Sequence, residues 1–131
     1  MQSSARREVA NIDTLQNEVY TALTGTSYAV SYFHPQAPAA PPCISFYESN
    51  NREYGQADGA EYTSEVEYTI NVWAMTPETT ATMAQAVDTA LAALRLKRTF
   101  AYDLYEQDTR IHHKNMRYRG VIHLAQQMIY Q

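Results

Sequence analysis

The stretch Glu61–Trp73, Glu-Tyr-Thr-Ser-Glu-Val-Glu-Tyr-Thr-Ile-Asn-Val-Trp, constrains this chain more than any other segment. Tyr62, Val66, Tyr68, Ile70 and Val72 alternate with Glu61, Thr63, Glu65, Glu67, Thr69 and Asn71. A period of two marks a strand with one face on a core and the other in water. A strand of this length spans roughly 43 Å, whereas the usual strand has about 5–6 residues. A small domain has little core to cover it end to end. Part of the strand is therefore expected to project, bend or meet another subunit. The Trp73 end is expected in the core, and the Glu61 end is expected to meet a neighbour or a lumen.

The rest of the chain frames that strand. At 131 residues it reads as a single domain over residues 1–131, large enough to bury a core without staples. A net charge of −4 argues against a surface that coats nucleic acid. The single cysteine, Cys43, excludes an internal disulfide and a cysteine-rich zinc site, and fits a reducing compartment. No run reaches the roughly 18 apolar residues of a membrane span. The first residues carry no apolar segment behind Arg6 and Arg7, so no secretory signal is expected. Eleven tyrosines suit both strands and protein interfaces.

Val9, Ile12, Leu15, Val19 and Leu23 recur at helical spacing, which predicts a helix over about Arg6–Leu23 ended by a left-handed Gly25. Tyr28–Phe33 and Cys43–Glu48 read as strands, joined by the proline-rich segment His34–Pro42. Ser49–Ala60 is rich in Ser, Asn, Gly and Asp and reads as a mobile hairpin loop over 49–60. After the long strand, Thr76-Pro77-Glu78 is a helix start: a capping hydroxyl, a proline at the first position and an acid at the positive end of the dipole. The helix runs to about Leu94 on a stripe of Met83, Val87, Ala90, Leu91 and Leu94, with Lys97 and Arg98 closing it. Phe100, Tyr102 and Leu104 alternate in a further strand. Asp108–Lys114 reads as a polar turn, and Met116–Tyr130 as a last strand with a candidate bulge at Gly120. Strand runs broken by two helices predict an α+β fold, a mostly antiparallel sheet of about four to five strands with both helices packed on one face.

Catalytic chemistry is not legible. His34, His112, His113 and His123 form no metal-ligating spacing, and His112-His113 reads as a solvated turn. Cys43 has no neighbour that would activate a thiol and reads as a small buried residue. The four glycines are scattered, so no phosphate loop exists. No cofactor, metal or enzymatic activity is expected. Glu61, Glu65 and Glu67 share one strand face and read as an acidic surface. Such a surface is solvated, or it lies at a subunit interface, or it lines a channel where it repels DNA phosphates. Arg117-Tyr118-Arg119 mixes basic and aromatic groups as nucleic-acid binders do, against the net acidity of the chain, and equally offers charge pairing to that row across subunits. With Tyr54 and Tyr62 these five charged residues are the candidate lumen or subunit-interface residues.

From about Ile12 to Tyr130 the layout resembles the tail-terminator or tail-completion proteins of long-tailed bacteriophages. The residues carrying the resemblance are the N-terminal helix, the proline-rich lead into Cys43-Ile44-Ser45-Phe46, and Glu67–Ala74. The Thr76-Pro77-Glu78 helix start, Tyr102-Asp103-Leu104-Tyr105-Glu106 and Asp108, and Arg117-Tyr118 in the last strand complete it. The resemblance implies a virion protein that closes on itself into a ring, generally a hexamer. The ring would cap the head-proximal end of the tail tube, stop its growth and join it to the head–tail connector protein. DNA would pass through without specific binding, and assembly would occur in the host cytoplasm. No interface residue is fixed by a family motif. A neck or head-completion protein of the same virion is the nearest alternative, and a small soluble α+β binding module is the alternative of another class.

Overall fold

The computed structural model describes residues 12–32, 40–57, 61–125 and 128–130, with side chains described over 15–32, 40–52 and 64–121. The elements in chain order are α1 (Ile12–Thr24), β1 (Ala29–Tyr32), β2 (Cys43–Ala57), β3 (Glu61–Ala74), α2 (Pro77–Ala92), β4 (Lys97–Glu106), β5 (Ile111–Ala125) and β6 (Met128–Tyr130). The sheet order is β1-β2-β3-β5-β4, with β6 added to β5. β1 runs parallel to β2, and every other pairing is antiparallel. This is the expected α+β layer.

The helix start at Thr76 follows the sequence rules. The Thr76 hydroxyl accepts the Thr79 amide at 3.1 Å, and Pro77 opens the helix. Thr76→Ala is expected to lower stability by about 1 kcal/mol, measured by urea denaturation. The end of α2 departs from expectation. Leu96 N bonds Leu91 O, and Arg95 N bonds Ala92 O, with Arg95 left-handed at φ 66°. This is a Schellman end, so Lys97 and Arg98 lie beyond it, in β4, and the last helical turn holds no basic residue. The turn that closes α1 also runs on past Gly25. Thr26 and Ser27 bond back to Leu23 and Thr24, which moves the left-handed residue to Ser27 at φ 75°. Residues 6–11 and 33–39, and with them Val9 and His34, lie outside the described residues.

Two segments read as loops are strand. Residues 49–57 belong to β2 and pair with β3 down to Ala57 opposite Glu61. Ladder shifts fall between Glu48 and Asn50 and between Glu53 and Gly55, so the turn-type residues are absorbed in bulges without breaking the strand. Only 58–60 of the expected loop lie outside the described residues. Likewise β5 starts at Ile111, which places His112 and His113 in a strand and not in a turn. Gly120 is not bulged: it pairs in unbroken register with Val66. Its role is close approach, because a Cβ there would sit 2.5 Å from Leu96 Cδ2.

The core lies between the helices and one sheet face. Leu15, Val19 and Leu23 of α1 and Met83, Ala84, Val87 and Leu91 of α2 cluster with Val66, Tyr68, Ile70, Val72 and Ala74 of β3. Ile44, Phe46, Met116 and Tyr118 complete it from the flanking strands. Both helices therefore cover the even-numbered face of β3. Tyr118 ties the layers together, since its hydroxyl donates to Asp88 of α2. Burial and that bond push the phenol far above its ordinary range.

Candidate assembly surface

Directly opposed residues of an antiparallel pair share a face. The register therefore assembles the face turned away from the helices. β3 supplies Glu65, Glu67, Thr69, Asn71 and Trp73 to it, and β5 supplies His113, Asn115, Arg117 and Arg119. Arg52 lies opposite Glu65 on β2, and Phe100, Tyr102 and Leu104 of β4 oppose Arg117, Asn115 and His113.

At one end of this face the charges are paired within the chain. Arg52 Nη2 lies 2.9 Å from Glu65 Oε1, and Arg119 Nε bonds the other carboxylate oxygen. Ser49 Oγ donates to Glu67 Oε1 at 2.8 Å. The expected acidic row is thus interleaved with arginines from both neighbouring strands, and its arginine partners come from the same subunit. The Arg119 hydrogen bond holds the Glu65 carboxyl below its ordinary 4.5, with Arg52 adding to it and desolvation opposing. A carboxylate whose folded pKa is depressed stabilises the fold above its unfolded pKa. That contribution is lost as pH falls below 4.5 through the folded value. Glu65→Gln is expected to flatten the stability–pH curve in that window and to leave Arg52 and Arg119 mutually repelling. Thermal unfolding across pH, with and without added salt, checks both effects.

The other end is buried on both faces, where the alternation predicted a wet second side. Cys43, Ser45, Thr69, Asn71 and Trp73 are all buried. Trp73 stacks on His113 with ring centroids 4.7 Å apart. His113 Nε2 donates to Asn71 Oδ1 at 2.7 Å, and Asn115 Nδ2 donates to the same oxygen at 2.8 Å. Burial lowers the His113 pKa below 6.5, partly offset by Glu106.

β4 forms one margin of the sheet and is exposed nearly throughout. Phe100 is 45% exposed, Tyr102 38%, Leu104 43% and Tyr105 51%, so their alternation does not mark a buried face. Phe100 and Tyr102 lie 5.2 Å apart, and the Arg117 guanidinium sits 5.1 Å over the Phe100 ring. An exposed apolar edge strand is an association surface.

Of the residues expected at the site, the structure brings Glu65, Glu67, Arg117 and Arg119 onto one face. Glu61 and Tyr62 belong to the same ladder by register, and Tyr54 falls in the β2 register shift between Glu53 and Gly55, but the side chains of all three lie outside the described ones. The sequence reading missed Arg52 and the four exposed β4 residues. Arg52 sat inside a presumed loop. The β4 pattern was visible, but whether it faced a core or an edge depended on strand order. The pocket beside the start of α2, lined by Pro77, Thr80, His112 and Lys114 among others, has its charges spoken for: Lys114 pairs with Asp103 at 2.7 Å. No described helix is long and apolar enough to cross a membrane.

Residues 15–123 match the family described as Tail completion protein gp17, a span that runs from within α1 to near the end of β5 and leaves out β6. No curated protein matches the chain.

Proposed function

Because the chain belongs to the tail completion protein gp17 family of bacteriophage structural proteins, we propose that it forms a ring on the head-proximal end of the tail tube. The ring, a hexamer of this chain, ends tube growth and joins the tail to the head connector, while DNA passes through it. The family match over most of the chain carries this reading. The geometry supports it in two ways. The β2–β3–β5 ladder runs on past Val66, the last β3 residue of the helix-covered core among the described side chains, to Glu61. That extension is about 17 Å at the rise of an extended chain. Neighbouring charges along it are prepared for contact, since Glu65 is already held by two arginines.

The extension, with Tyr54, Glu61, Tyr62, Glu65, Glu67, Arg117 and Arg119, is the part that meets a neighbouring subunit or the lumen. Cyclic rings use two different patches on each subunit, which suits a protein with one long ladder and a separate apolar edge. Purified chain added to growing tail tubes should fix their length and leave a ring at one end. Tubes that grow without limit in its presence would remove the terminator role. Joining of completed tubes to DNA-filled heads, scored separately, would then decide the head-completion alternative.

A further inference from the structure

The two margins of the sheet are unlike. Beyond Phe46, where β1 ends, the outer side of β2 has no strand partner among the described residues. It is guarded there by Glu48, Asn50, Asn51 and Arg52 and by two bulges, the usual devices against strand addition. The outer side of β4 also lacks a partner among the described residues, yet it carries exposed Phe100, Tyr102, Leu104 and Tyr105. β4 is charged asymmetrically along its length. Lys97 stands at its start and Glu106 at its end, and neither makes an ion pair among the described residues.

We propose that the free chain pairs with a second copy of itself through β4, edge to edge and antiparallel about a two-fold axis at Tyr102. Only an antiparallel pair brings the basic end of one β4 to the acidic end of the other. A parallel pair would set Lys97 beside Lys97 and Glu106 beside Glu106. Keeping the helices of both copies on the same side of a continuous sheet requires facing residues of like orientation. Centred on Tyr102, the register places Tyr102 against Tyr102 and Phe100 against Leu104. The β4 ladder shift between Arg98 and Phe100 moves the next contact by one residue, so Lys97 falls opposite Glu106. On the helix side the same shift lays Arg98 against Tyr105. Aromatic and opposite-charge cross-strand pairs are the stabilising kinds. Moving the axis one step to Asp103 would oppose two like charges directly.

A two-fold contact cannot recur around a head-to-tail ring. The β4 pair is thus a property of the unassembled chain, and it covers the apolar edge until the chain reaches the tube. That restriction to the unassembled chain rests on the ring reading, which is tested on tubes; the pairing itself does not and is tested on the free protein.

Cysteine cross-linking of the free protein reads the register. Opposed residues of an antiparallel pair have Cα atoms about 4.5–5.5 Å apart, within disulfide range. The native Cys43 is buried, so unaltered chain serves as the blank. Tyr102→Cys should give covalent dimers on mild oxidation, because residue 102 meets its own copy. Phe100→Cys alone should give few, and Phe100→Cys with Leu104→Cys should link efficiently. Glu106→Lys in the Tyr102→Cys background should reduce the linked fraction several-fold, and adding Lys97→Glu should restore it. Equal linking by Phe100→Cys and Tyr102→Cys would overturn the two-fold register. Failure of both Tyr102→Cys and the Phe100/Leu104 pair to link would overturn the dimer itself. Lys97, Phe100, Tyr102 and Leu104 are exposed and Glu106 is half-buried, and circular dichroism of each variant checks that the fold persists.

Discussion

Replacing Trp73 with alanine should cost about 3–5 kcal/mol, the loss expected when a fully buried indole leaves a cavity. Against a total stability on the order of 5–15 kcal/mol, this is enough to threaten the fold. Trp73 is buried although both helices cover the other face of β3, and it stacks on His113. Its Nε1 has no acceptor among the described residues, so the loss comes from packing and not from a broken hydrogen bond. Trp73→Phe should therefore recover much of it. A second readout separates this site from a generic core position. Desolvation holds the His113 pKa below 6.5. A cavity that admits water should move it back toward 6.5, which NMR titration would follow. The same depression sets a pH dependence. His113 is folded in its neutral form, so its contribution is complete above 6.5 and is lost as pH falls toward its folded value. A Trp73→Ala protein as stable as the parent would refute this account of the second face.

Gly120→Val should be the other strongly destabilising change, at or above the upper end of the roughly 1–3 kcal/mol typical of overpacking. Leu96 follows the left-handed Arg95, and the Schellman bond from its amide to Leu91 O carries its side chain down onto β5. There it is buried, with Cδ2 2.5 Å from where a Gly120 Cβ would stand. Gly120→Ala forces Leu96 to move within the core, and valine adds two methyl groups to the same collision. The cause can be isolated in a double-mutant cycle. Leu96→Ala and Gly120→Ala should each destabilise, and the pair should be less destabilised than the sum, by about 0.5–3 kcal/mol. Strict additivity would show that the glycine is needed for some reason other than Leu96.

Both changes involve contacts that no local pattern announces, and this separates what the chain discloses from what the fold adds. The period of two over Glu61–Trp73, the Thr76-Pro77 helix start and the Leu15–Val19–Leu23 and Met83–Val87–Leu91 stripes are local properties. Backbone stereochemistry and helical or strand repeat fix them wherever the segment lies. They determined the elements, the α+β class and the resemblance to a tail-completion protein. Four matters needed long-range pairing. Residues 49–57 became strand because β3 supplied Glu65 and Glu67 as partners for Arg52 and Ser49, outweighing a loop-like composition. The acidic row turned out to be interleaved because β5, far along the chain, lies beside β3 and brings Arg119. The second face closed over Trp73. Finally, Phe100, Tyr102 and Leu104 became a sheet margin because β5, and not β4, pairs with β3. Strand order is a property of the whole chain: the same alternating sequence is core in a central strand and contact surface at an edge.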